Sequence, residues 1–268
     1  MAYSAELRKE FKATARARIR ENFWPTMGAV ILGAVPGVLG SIVYERGQGV
    51  AAALLYFIIL FFVVLPMQFG MMHFYVARSR GQEVPLSTIF CCFGHGRSYR
   101  NSLLLALAIV IRSIGWCVLE VLAVVAFAAL MVATGMIGML DGNRMAFTGV
   151  VVLGMVLSGA VLIVVSAIVN VKIRRYDAAY VLMIDNPERS VWEATGECAA
   201  LFREHNWELF VFDLSFILWV LGTVCTFGIL GIYLSAYQDM AYVRYVDALR
   251  RNKSDFSATT DPNSLPPL

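Results

Sequence analysis

Charge is the scarcest commodity in this chain. Of its 268 residues only 15% are Asp, Glu, Lys or Arg, against about 25% in soluble globular proteins. Histidine is scarcer still, with three residues, His73, His95 and His205. Cysteine stops at five, and Cys91, Cys92 and Cys198 fall in segments expected on the reducing side of a membrane, so no disulfide framework is expected. The chain also lacks the signatures of common chemistries: no nucleophile-elbow G-x-S-x-G, no zincin H-E-x-x-H, no Walker A loop and no dinucleotide-binding G-x-G-x-x-G in context. A hydrolase inside a membrane needs a nucleophile beside a base, and the three histidines offer no such pair within a span. No catalytic residue is assigned from the sequence, and no cofactor is expected.

What fills the space is hydrocarbon. Apolar residues make up 59% and the mean hydropathy is +0.69. A water-soluble fold of this composition cannot cover its surface with polar groups, whereas lipid can. The apolar residues fall in blocks at 23–44, 50–77, 103–133, 147–171, 207–225 and 228–249, and a spanning helix needs about 20 such residues at roughly 1.5 Å each. The last two are separated only by Thr226-Phe227-Gly228, which predicts a tight helical hairpin. The expected fold class is all-α: a polytopic membrane protein of six transmembrane helices, with amphipathic helices at the N-terminus and on the cytoplasmic side.

Of the 22 lysines and arginines, all but Arg46, Arg112, Arg144 and Arg244 lie in segments that would share one side of the membrane. Retention of basic connectors in the cytoplasm then places both termini there, in a cytoplasmic membrane. The net charge of +3 is therefore a matter of sidedness, and no aromatic-interleaved basic stripe calls for nucleic acid. Membrane lipids are the expected partner, with a protein partner or a second copy of the chain as a further option. The apolar block begins only after 22 charged-rich residues and no small-residue cleavage pattern follows it, so no cleavable signal peptide is expected.

Three regions frame the spans. Residues 1–22 form the first, with Tyr3, Leu7, Phe11, Ala15 and Ile19 recurring every four residues between basic side chains, the pattern of a helix lying in a membrane interface. Residues 23–251 form the membrane domain, and the tail at 252–268 is polar, rich in Pro and Ser, and expected to be disordered. Within the domain, 172–206 reads as a cytoplasmic helical hairpin. Asp185-Asn186-Pro187 stops its first helix, because proline disfavours helix at the preceding residue. Ser190 and Glu193 have the spacing of a capping box, and Val191, Ala194, Cys198, Leu201 and Phe202 share the face of the helix that follows. In the first span Gly33-xxx-Gly37 would let a neighbouring helix come close.

The residues from the turn onward, Tyr180, Asp185-Asn186-Pro187, Ser190, Glu193-Ala194 and Phe210-Val-Phe-Asp-Leu-Ser-Phe-Ile-Leu-Trp219, followed by Gly222, Gly228, Gly231, Tyr237 and Tyr242, resemble a bacterial family of integral membrane proteins known as domain of unknown function nine-seven-five. A weaker likeness lies at Asn22-Phe23-Trp24. Ser166–Asn170 stands where that family has a Pro-Gly bend, Ala236 where it has a proline, and Asp213 where an uncharged residue is the rule. The resemblance implies a six-helix bacterial membrane protein and no particular activity.

Five ionisable residues fall inside the predicted spans: Arg112, Glu120, Asp213, Asp239 and Arg244. An Arg or Asp at mid-bilayer costs about 2.5–3.5 kcal/mol on insertion scales, so each needs a reason. Asp213 and Asp239 lie at similar distances either side of the hairpin turn and so at similar depth. They would serve either as a register-fixing polar cluster or as an ion-coupling site. Asp185, Asn186, Pro187, Ser190 and Glu193 are hinge candidates. Cys91, Cys92 and His95 lack zinc-motif spacing, and no metal site is assigned. The function these features favour is a non-enzymatic membrane protein in envelope or lipid homeostasis or a partner subunit. The alternatives are a transporter built on Asp213 and Asp239, and a lipid-modifying enzyme.

Overall fold

The computed structural model describes residues 5–47, 49–140 and 144–260, which are helical throughout apart from short turns and contain no strand. Eleven α-helices follow in order among them: α1 (Ala5–Glu21), α2 (Phe23–Gly47), α3 (Val50–Ile59), α4 (Leu65–Ser79), α5 (Gly96–Leu140), α6 (Arg144–Arg174), α7 (Ala178–Asp185), α8 (Val191–Leu201), α9 (Asn206–Leu214), α10 (Ile217–Cys225) and α11 (Ile229–Thr260). A π-helical turn at Leu60–Val64 joins α3 to α4, and a 3-10 segment at Leu86–Gly94 precedes α5. The π turn sits just before Pro66, whose missing N–H denies the regular ladder one donor.

Five stretches among the described residues are long and apolar enough to cross a membrane: Phe23–Gly47, Val50–Ser79, Gly96–Ala133, Val151–Asp185 and Asn206–Cys225. The sixth expected span corresponds to α11, a helix that falls short of that apolarity. Its position explains the shortfall. Tyr237, Met240, Ala241, Tyr242, Val243 and Val246 of α11 are fully buried, and α1, α2, α4, α7 and α10 all pack against it. A helix wrapped by protein does not need a lipid-soluble surface.

The chain divides into two compact units, residues 1–108 with 176–268, and residues 109–175. The core of the larger unit is aromatic. Phe212 stacks on Tyr245 at 5.3 Å, Phe202 on Tyr242 at 6.3 Å, and Phe216 meets Tyr237 edge-on at 5.2 Å. The smaller unit holds the central parts of α5 and α6, and its large side chains point outward: Leu122, Val161 and Ile163 are each 60% exposed or more. So much bare Leu, Val and Ile is a lipid-facing surface in a protein of this composition.

Several local expectations meet the structure here. The α10–α11 hairpin turns at Thr226-Phe227-Gly228, with Phe227 at φ 50° and Gly228 at φ 88°. The Gly228 N–H donates to the Thr223 carbonyl at 2.9 Å and the Phe227 N–H to Val224 at 3.2 Å, the two bonds of a Schellman cap. Gly222 and Gly231 keep the two arms close, since a Cβ on either would stand within 3.0 Å of the opposite helix. In α2, Gly33 admits the Met71 side chain of α4, whereas Gly37 faces open space, so only half of the small-residue motif is used. The α1 stripe is covered by protein: Phe11, Ala15 and Ile19 are buried against the larger unit's core, with the Phe11 ring 6.2 Å from that of Tyr245. An apolar stripe is satisfied equally by lipid or by a neighbouring helix, and here the helix is α11. Helix α5 begins at Gly96, and Tyr99 in its first turns donates its hydroxyl to the Phe62 carbonyl in the π turn at 2.9 Å. Helix α11 runs on to Thr260, past the expected start of the tail at 252. Residues 261–268 lie outside the described residues.

Candidate functional site

Chemistry converges where α4, α5, α7, α8 and α11 meet around the turn that ends α7. That turn forms as its residues dictate: α7 stops at Asp185, Asn186 leaves helical geometry at φ −139°, ψ 89°, and Pro187 follows. The Asp185 carboxylate is gripped from two directions. Arg80, just past the end of α4, donates to it at 2.5 and 3.1 Å, and Arg250 of α11 adds a further close contact. The same Arg80 donates through Nε and Nη2 to Asp247 at 3.1 and 2.7 Å. One guanidinium thus forks onto two carboxylates, which hold its pKa above the ordinary arginine value through those hydrogen bonds.

Held in this way, the turn walls two adjoining cavities that share Asn101 and Pro187. The larger, about 340 Å³, combines Arg97, Arg100 and Arg189 with Leu104, Leu107 and Trp192. Arg97 pairs with Glu188 at 2.9 Å and Arg189 with Glu197 at 2.5 Å. Arg100 is exposed and makes no ion pair among the described residues. The cavity therefore has a basic mouth and an apolar wall, at the first turns of an apolar helix long enough to cross a membrane. Ser190 is the N-cap residue of α8 but makes no side-chain capping bond. The capping-box expectation is corrected on this point, since Ser190 lines the cavity. Glu193 is exposed on α8, while the predicted apolar face (Val191, Ala194, Cys198, Leu201, Phe202) is the buried one.

The smaller cavity, about 250 Å³, brings Cys91 and His73 together, with His95 and Asn101 also on its wall. No group of three or more metal-ligating side chains suited to an ion occurs among the described residues.

The five intramembrane candidates are divided between the two units. Arg112 and Glu120 belong to the 109–175 unit, where the Glu120 carboxylate accepts from the Ser166 hydroxyl of α6 at 2.5 Å. Its second oxygen is buried without a hydrogen-bond partner. Asp213 accepts from Gln238, the neighbour of Asp239, at 3.3 Å. Asp239 is half-buried on α11, and so is Arg244, which makes no hydrogen bond or ion pair among the described residues. Two residues past Asp213 the fifth predicted span breaks between α9 and α10, and Lys12 of α1 donates to the freed Ser215 carbonyl at 2.7 Å while lying 4.2 Å over the Phe216 ring. Burial, followed by the charges of Arg16 and Arg8, holds Lys12 below its ordinary pKa.

Sequence reasoning had not joined Arg80, Asp247 and Arg250 to Asp185, nor His73 to Cys91. These partners lie 105, 65 and 18 residues apart where they touch, and no local pattern links them. One signal was present, a glycine at position 70 in the middle of an otherwise bulky helix.

Helices of membrane-spanning length and a partly buried polar hub define the class: an all-helical chain whose apolar surface suits a membrane. Within that class the chain belongs to the family Protein of unknown function (DUF975), whose model matches residues 1–253. No curated protein and no solved structure matches it.

Proposed function

We propose that the protein is a non-enzymatic, multi-pass protein of the bacterial cytoplasmic membrane that holds anionic lipid headgroups in envelope or lipid homeostasis, with both termini and the Arg97–Arg100 segment in the cytoplasm. The observation that carries this reading is the 340 Å³ cavity, whose lining combines Arg97, Arg100 and Arg189, against the single acid Glu188, with the apolar Leu104, Leu107 and Trp192. A phospholipid needs both: a cationic fork for the phosphate and an apolar track for the first carbons of its chains. The residues from Asp185 to Ser190 act in this reading as a braced wall of the cleft. Six membrane crossings follow if α11 crosses within its protein sheath.

Each basic side chain near an anionic lipid surface is worth about 1 kcal/mol, so replacing Arg97 and Arg100 together by alanine is expected to reduce preferential retention of phosphatidylglycerol by roughly 30-fold. Native mass spectrometry of protein released from mixed phosphatidylglycerol–phosphatidylcholine nanodiscs measures it. Equal retention of the two lipids by the unaltered chain would sink the reading. Transport through Asp213 and Asp239 has one observation in its favour, the helix break at Ser215-Phe216 beside Asp213. Unchanged behaviour of Asp213→Asn and Asp239→Asn would remove it.

A further inference from the structure

We propose that Cys91 and His73 form a thiol–imidazole pair that is oxidised by hydroperoxides entering the 250 Å³ cavity, Cys91 becoming a sulfenic acid in a single stoichiometric step that goes beyond, and leaves intact, the non-enzymatic reading above. The pair is built by backbone packing. At Gly70 a Cβ would stand 1.8 Å from the Ile89 carbonyl oxygen, so only glycine lets the 3-10 segment lie flat on α4. His73 is one turn beyond Gly70 on the same face, and Cys91 two residues beyond Ile89. The result is a Cys91 Sγ to His73 Nδ1 distance of 3.6 Å.

The surroundings suit a reactive thiol. Cys92 is fully buried, with its sulfur 3.9 Å from that of Cys91. Cys91 is half-buried on the cavity wall, where a small molecule can reach it. The contact with Cys92 first, and then the hydrogen bond and charge of His73, hold the Cys91 thiol below its ordinary value against the opposing pull of burial. The other groups lining this cavity are Phe69 of α4, His95 after the 3-10 segment, Ser98 and Asn101 of α5, Met183 and Ile184 of α7, and Pro187, none of them a carboxylate. Thiolates in accessible, electropositive pockets are the ones that oxidise.

The step balances as follows. The Cys91 sulfur attacks the terminal oxygen of the hydroperoxide; an S–O bond forms as the O–O bond breaks. Sulfur gives up two electrons, its thiol proton passes to His73 as the S–O bond forms, and the departing alkoxide or hydroxide takes that proton from His73 to leave as an alcohol or water. Phe69, Met183 and Ile184 line the cavity beside the polar groups, so hydrogen peroxide and a fatty-acid hydroperoxide both meet the chemistry.

The test uses the full chain in nanodiscs, oxidised in separate arms with hydrogen peroxide and with a fatty-acid hydroperoxide, trapped with dimedone and mapped by peptide mass spectrometry. Labelling of Cys91 ahead of Cys117, Cys198 and Cys225 in either arm sustains the proposal, and the faster arm identifies the source of the oxidant. Failure of both arms overturns it. The pH profile of iodoacetamide alkylation of Cys91 in the unaltered chain is an independent check that needs no variant. Its midpoint is expected below the ordinary thiol value of about 8.5, and a midpoint at or above that value overturns the proposal. The midpoint decides rather than the rate, because a thiolate of lower pKa is also a weaker nucleophile. His73→Gln is expected to raise that midpoint by a pH unit or more and to slow sulfenate formation roughly 100-fold, the scale of a lost general acid.

Discussion

Replacing Arg80 by methionine keeps the apolar stem of the side chain and deletes its guanidinium. The deleted group makes four hydrogen bonds to two carboxylates, between 2.5 and 3.1 Å. Asp185 retains Arg250, but Asp247, whose side chain is only 11% exposed, loses its ion-pair partner. Breaking a fully buried pair costs about 3–5 kcal/mol, whereas an exposed pair contributes about 0–1 kcal/mol. With the side chains of Arg80 and Asp185 at 28% and 22% exposure, the network lies between these limits, and we expect a loss of about 2 kcal/mol, discounted in this way for solvent screening. A double-mutant cycle with Asp247→Asn should return a coupling of about 1.5 kcal/mol, because the second change removes the stranded charge. Reversible unfolding in mixed micelles of increasing SDS content measures both quantities. A shift for Arg80→Met within about 0.5 kcal/mol, the range of indifferent surface substitutions, or a coupling near zero would refute the view that this hub braces α4, α7 and α11.

Three further outcomes follow from the same coordinates. Gly70→Ala should destabilise by about 3 kcal/mol, the upper range for overpacking, and should return the alkylation profile of Cys91 toward that of an ordinary thiol; an unchanged melting curve would contradict the 1.8 Å approach to Ile89. Lys12→Met should cost about 1 kcal/mol in the same SDS assay by leaving the Ser215 carbonyl without its donor, and amide exchange at Val220 and Trp219 should speed up with it. Ser166→Ala should cost about 1 kcal/mol, the scale of an interhelical hydrogen bond in a membrane, whereas Glu120→Leu combined with Ser166→Ala should be close to neutral, because removing both partners leaves no orphaned polar group; a larger cost for the double variant than for the single one would reverse the argument.

The order of the apolar helices was open to reading from the residues alone. Hydrocarbon imposes long apolar blocks on any helix it surrounds, so five spans stand out by composition, and the sixth block marks the register of α11. The stop at Asp185-Asn186-Pro187, the buried face of α8 and the 226–228 turn are equally local: each depends on residues within one or two helical turns of one another, where backbone sterics decide. The amphipathic stripe of α1 was visible too, but Phe11, Ala15 and Ile19 have the same pattern whether lipid or Tyr245 covers them.

What only the tertiary structure decided is which distant groups share a place. Arg80 meets Asp247 across 167 residues and Lys12 meets Ser215 across 203, and both unions depend on how helices pack, which periodicity does not encode. The same holds for Cys91, whose neighbour was chosen by a missing Cβ at Gly70 on another helix. Sequence determines the solvent each helix must face, because transfer free energy is a sum over residues. Packing determines the chemistry, because hydrogen bonds and proton affinities depend on ångström distances between side chains that the chain order leaves unspecified.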